Sequence, residues 1–252
     1  MRVIIANALK ERIRRKELYI VVAIGILLIL FLSSDSGSLT INGEPVTGFN
    51  NMFQVLHVLV NAIGVILAVV LSIRTIPNEY ERKNSHLVWV RGIRQPVYHG
   101  SLTLANMFAA MFAVGILYLV LAVYTVINGH AAYLPRLIPA FLVLSVSVSM
   151  VSCFVSVLSI KLPEMVVGTI GALFAFAGIF HGLFDLFKSV LGGLGGKCMA
   201  VLLWMVPDLN EIQKQAYHLV VGKPVEGHII WVGLFTIWIF SLGLFVFKKK
   251  EA

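Results

Sequence analysis

The sequence predicts an all-α, polytopic membrane protein, and three observations carry that prediction. First, 59% of the 252 residues are hydrophobic and only 13% charged, where a soluble domain carries about a quarter charged; mean hydropathy is +0.92. Second, several apolar runs reach the ~20 residues a helix needs to cross a hydrocarbon core. Third, threading those runs through a bilayer puts 15 of the 20 Lys and Arg on one side, the asymmetry expected of a cytoplasmic face. The net charge of +8 then serves orientation and contact with anionic lipid headgroups, not nucleic acid.

Residues 1–17 are basic, with Ile5, Leu9 and Ile13 four apart. That spacing predicts an interfacial helix with one apolar stripe lying in the headgroup region. Six spans follow, at about 18–34, 53–73, 102–127, 137–160, 165–184 and 229–247. The loop after the first span holds Asp35 and Glu44 but no Lys or Arg, which marks it as external. Both termini fall on the cytoplasmic side of a cell membrane. Residues 185–228 form an external re-entrant or helical segment: Cys198–Val206 is too short to cross. Counting it as a span would carry Lys248, Lys249 and Lys250 outside. Asp208 and Glu211 make a capping-box-like start, and Gly222 with Pro224 supply a stop.

Bond chemistry has no visible carrier. Neither Gly-x-Ser-x-Gly nor His-Glu-x-x-His occurs, and Gly192–Lys197 lacks the spacing and the hydroxyl of a phosphate loop. No catalytic, metal-binding or cofactor-binding residue is assigned. Cys153 and Cys198 read as small apolar residues, not a bridge. Ser145, Ser149, Ser152, Ser156 and Ser159 step by four and three, so they share one face of the fourth span. Small hydroxylated residues there favour close helix packing over lining of a translocation path. His57, Asn61 and Asn106 sit within apolar spans and must face protein or water; His57 and Asn61 join the serines as candidate path residues.

The remaining distinctive stretch is residues 74–101, charged and caught between two spans. Arg74, Arg82, Lys83, Arg91 and Arg94 orient it inward, but Glu79 and Glu81 add nothing to orientation, and Leu87 and Trp89 are apolar residues in a polar loop. That mixture suits docking.

Glu79-Tyr80-Glu81-Arg82, the apolar Leu87-Val88-Trp89 and the basic turn at Arg91 and Arg94 resemble the cytoplasmic loop of ATP-binding-cassette type-2 permeases. The basic amphipathic N-terminal helix, six spans and helical hairpin before the last span extend the resemblance over nearly the full length. Asn84-Ser85 stands where Gly-Thr is usual, Gly92 where Pro is common, and Ser101 follows Gly100 in place of Lys. The resemblance implies an exporter subunit in which Glu79, Glu81, Arg82, Leu87, Trp89, Arg91 and Arg94 couple to a separate ATPase subunit that binds ATP and Mg. It implies a second permease copy, identical or related, and no cofactor in this chain. An amphipathic or hydrophobic cargo (peptide, toxin or drug-like) is expected. Lipid or polysaccharide export, or a non-transporting scaffold, are the alternatives.

Overall fold

The computed structural model describes residues 2–14, 16–33, 40–41, 44–45, 48–81, 90 and 92–246. The architecture is helical apart from a two-residue antiparallel ribbon, Thr40–Ile41 with Glu44–Pro45. The helices are α1 (Arg2–Ile13), α2 (Lys16–Ser33), α3 (Phe49–Ile73), α4 (Thr75–Glu81), α5 (Gln95–Ile127), α6 (Leu134–Leu158) and α7 (Glu164–Ile179). They continue with α8 (His181–Leu191), α9 (Gly193–Met205), α10 (Leu209–Val221) and α11 (Gly227–Val246).

Among the described residues, four helical stretches are long and apolar enough to cross a membrane, and a fifth counts if α7 and α8 form one broken span. These belong to α3 with α4, α5, α6 and α11. The apolar stretch of α2, Leu18–Phe31, is shorter. The expected fifth span, 165–184, does not run straight: the chain turns through 82° between α7 and α8. The segment 74–101, expected as one loop, is helical at both ends, because α4 continues α3 and α5 begins at Gln95. Pro96 in the first turn of α5 suits that start, since an N-terminal proline loses no helical hydrogen bond.

α6 stands at the centre and packs against α3, α5, α7, α10 and α11. From Val143 to Cys153 every residue is buried, four serines included; small hydroxylated residues allow this because they pack closely and bond within or between helices. Close approach depends on missing side chains. A Cβ on Gly64 of α3 would come 2.6 Å from Val114 and 3.1 Å from Val148, so α3, α5 and α6 meet there. A Cβ on Gly178 would come 2.6 Å from Leu209 and 3.1 Å from the Pro207 carbonyl oxygen, which brings α7 against the start of α10.

The apolar stripe expected on residues 1–17 meets protein in part, through Ile5 and Leu9. α1 packs along α5 and buries Ala8 and Arg12, with Ile5 and Leu9 at the edge of the contact. Ala8, Ile76, Tyr98, Leu102, Ala105, Ile160 and Leu244 form a second, smaller apolar core there. One end of the bundle thus gathers α1, α4, the base of α5 and the end of α11. At the opposite end Phe49 stacks on His130, Tyr133 and Tyr124, with ring centroids 3.9, 5.8 and 5.8 Å away.

Gly64→Leu should force α3 off α5 and α6. Overpacking of this kind costs about 1–3 kcal/mol, read as a lowered unfolding midpoint in detergent micelles with helical content retained.

Candidate functional site

Among the described residues, two polar clusters and one groove stand out. The first cluster lies at the root of the charged loop. Arg12, 1% exposed, donates from Nε to Asn106 Oδ1 at 2.9 Å. Asn106 Nδ2 donates to Thr75 Oγ1 at 2.7 Å, and Thr75 donates to the Leu71 carbonyl at 2.7 Å. A single chain of hydrogen bonds therefore joins α1, α5 and the α3–α4 junction. Beside it Tyr98 Oη donates to Glu79 Oε2 at 2.5 Å. Gln95 Nε2 donates to Tyr80 Oη at 2.5 Å, and the tyrosine hydroxyl lies 3.0 Å from His99 Nε2. These bonds hold the two stems of the loop together. Arg74 at the end of α3 pairs with Glu164 at the start of α7.

Among the expected docking residues, Glu81 and Arg94 are exposed. Glu79 is 8% exposed and points inward to Tyr98, so it ties the stems and presents no carboxylate outward. Arg82, Leu87, Trp89 and Arg91 lie outside the described residues.

The second cluster fastens α10 into the bundle. Gln213 Nε2 donates to His57 Nδ1 at 3.2 Å. That leaves the ring hydrogen on Nε2, which donates to Tyr118 Oη at 2.5 Å. One helical turn further, Asn61 Nδ2 reaches the Leu209 carbonyl at 3.5 Å. Ser147 Oγ lies 2.8 Å from both Asn61 Oδ1 and the Leu144 carbonyl, sharing its one hydrogen between them. Tyr217 Oη adds a bond to the Asn50 carbonyl at 3.2 Å. α10 is thus tied to α3 along its length and closes one end of the bundle.

The caps of α10 are those its residues predict. Asp208 accepts from the Glu211 amide at 2.8 Å, and Gly222 ends the helix at φ +80°. Burial raises the Glu211 carboxyl, but hydrogen bonds from Lys214 and Gln215 outweigh it and hold the group below its ordinary value.

The serine face of α6 meets neighbouring helices and no opening. Ser152 Oγ is 2.9 Å from Ser72 Oγ on α3. Ser145 donates to the Phe141 carbonyl and Ser159 to the Ser156 carbonyl; Ser149 and Ser156 are buried. His57 and Asn61 are likewise enclosed by partners, at 0% and 2% exposure. None of these residues borders the large groove, of about 1200 Å³, which runs between α3 and α7–α8.

Sequence reasoning singled out His57, Asn61 and Asn106 but not their partners Tyr118, Gln213, Ser147, Arg12 and Thr75. The available signal was the cost of an unpaired amide in an apolar span, which demands a partner without naming it. Among the described residues no group of His, Cys, Asp and Glu is arranged to hold a metal ion.

Replacing Gln213 by Leu should strand His57 Nδ1. An orphaned buried acceptor costs about 1–3 kcal/mol, visible as a lowered unfolding midpoint and lost hydrogen-exchange protection confined to α10. For the depressed carboxyl of Glu211, the stabilisation is present at neutral pH and is lost as pH falls through its folded-state value. Protection factors of the first turn of α10 should therefore drop on acidification, and Glu211→Gln should remove that dependence.

Compared with known proteins, the chain matches no family model and no curated protein.

Proposed function

We propose that this chain is the membrane subunit of an ATP-driven exporter of the ATP-binding-cassette type-2 kind. It would work as one of two permease copies, each docked to a separate ATPase subunit that binds ATP and Mg. The observation that carries the reading is the bracing at the root of the charged loop. Glu79–Tyr98 and Gln95–Tyr80 tie the two stems, and Arg12–Asn106–Thr75 links them to α1. A push on residues 82–94 then moves α3, α5 and α1 as one body. A flexible loop would dissipate the same force. Rigid rocking of packed helices between two states is the motion such coupling needs.

In this reading six spans cross the cell membrane, with both termini and the loop on the cytoplasmic face. The α8–α9 hairpin and α10 lie at the external side, where α10 closes the bundle. The cargo is amphipathic or hydrophobic, in keeping with apolar surfaces among the spans. Bond chemistry belongs to the ATPase partner, and this chain converts its closure into altered access.

The test is copurification from native membranes under mild detergent. Glu81→Lys with Arg94→Glu should reduce the recovered ATPase subunit about tenfold, equivalent to ~1.4 kcal/mol of docking energy, while the unfolding midpoint stays within error. Labelling of a cysteine at Arg94 by an impermeant reagent outside intact cells would invert the orientation and sink the proposal. An ATPase partner whose turnover ignores every amphipathic peptide or drug offered would point to a scaffold.

A further inference from the structure

A groove between α3 and α7–α8 has no part in either polar cluster. Its volume of about 1200 Å³ exceeds the ~300–1,000 Å³ of ordinary small-molecule pockets. It has the form of a wedge. At one end the walls converge, where a Cβ on Gly168 would stand 3.3 Å from Ile73 and one on Gly171 would stand 3.3 Å from Val69. The Arg74–Glu164 pair closes that end. At the other end the 82° turn between α7 and α8 swings the second wall away. The walls are apolar, including Val58, Ile66, Phe176 and Leu183. Polar lining comes from three carboxamides, Asn51, Gln54 and Asn210. Asn51 and Gln54 begin α3 and Asn210 begins α10, so the amides share the open mouth. Among the described residues no charged side chain lines the groove.

We propose that this wedge binds one two-chain membrane lipid with a zwitterionic headgroup. The apolar cleft takes the acyl chains, and the amide mouth hydrogen-bonds the glycerol esters and headgroup. The occupant follows from the polarity pattern: uniformly apolar depth, hydrogen-bonding groups confined to one end, and no charge to select an anion. Gln54 and Asn210 make no side-chain hydrogen bond to the described residues, leaving their amides for a ligand. The bilayer itself supplies such molecules at every span edge. A tapering cleft with its mouth opened by the turn into α8 suits flexible chains better than the ridge of a helix from a second copy. The inference needs only a membrane-embedded chain and stands apart from the exporter reading.

The experiment is native mass spectrometry of the full chain, purified in detergent supplemented with phosphatidylcholine or phosphatidylglycerol. One phosphatidylcholine per chain should survive gentle activation. Ala62→Trp or Ala172→Trp, which fill the cleft, should each cut that occupancy about tenfold, equivalent to one decade in Kd. Gln54→Leu, which leaves the packing untouched, should cut it about threefold on the same scale. Leu119→Trp, on an exposed face of α5 (67% exposed), should change nothing, and an unaltered circular dichroism melt shows that each variant folds. Equal loss in the control would mark ordinary annular lipid, and preference for phosphatidylglycerol would remove the zwitterionic assignment. A lipid-free dimer that the tryptophan variants dissociate would give the cleft to a second copy. Each of these results overturns the proposal.

Discussion

Everything in this fold follows from having to cover α6 on all sides. Its run from Val143 to Cys153 is buried throughout, serines included, so no arc of that stretch is open to water or to lipid. α3, α5, α7, α10 and α11 supply that cover, and they fit because glycines and small residues stand where backbones come close. The hydroxyls of α6 do not contradict its burial. Ser145 and Ser159 bond to their own helix, and Ser152 and Ser147 bond to α3. In an apolar interior such bonds contribute about 0.6–2 kcal/mol each, and satisfying the groups matters more than the gain.

Cover by α10 is the unusual part, because this helix carries glutamine, tyrosine and glutamate and would not enter a bilayer alone. It is retained by particular bonds: Gln213 to His57, the Leu209 carbonyl to Asn61, Tyr217 to the Asn50 carbonyl. Its apolar side, Leu209, Ile212, Ala216 and Val220, packs into the main core. The polar interior thus positions one amphipathic helix among apolar ones, and an element held this way can be released as a unit. In the exporter reading that makes it the natural moving cover at the external end.

At the other end of the bundle the same logic yields stiffness. Arg12 is a buried cation on a short helix, and such a group is tolerated only with partners in place. Asn106 accepts from its guanidinium and is itself held by Thr75, so α1 is keyed to one position along α5. The loop that follows α4 leaves from this braced platform.

The sequence by itself determined the elements that depend on local physics. Apolar runs decided where long helices lie, and Asp208 and Gly222 decided where α10 begins and ends. Only tertiary structure decided what α1 packs against: Ile5 and Leu9 border the contact with α5, which buries Ala8 and Arg12 beside them. The same holds for the 82° turn after α7, which no proline or charge announces. It holds too for the pairing of His57 with Gln213, 156 residues apart. A strip of sequence records which groups need a partner, since that is set by the chemistry of each side chain. Which partner is chosen depends on how distant helices pack, and that information exists only once the chain has closed on itself.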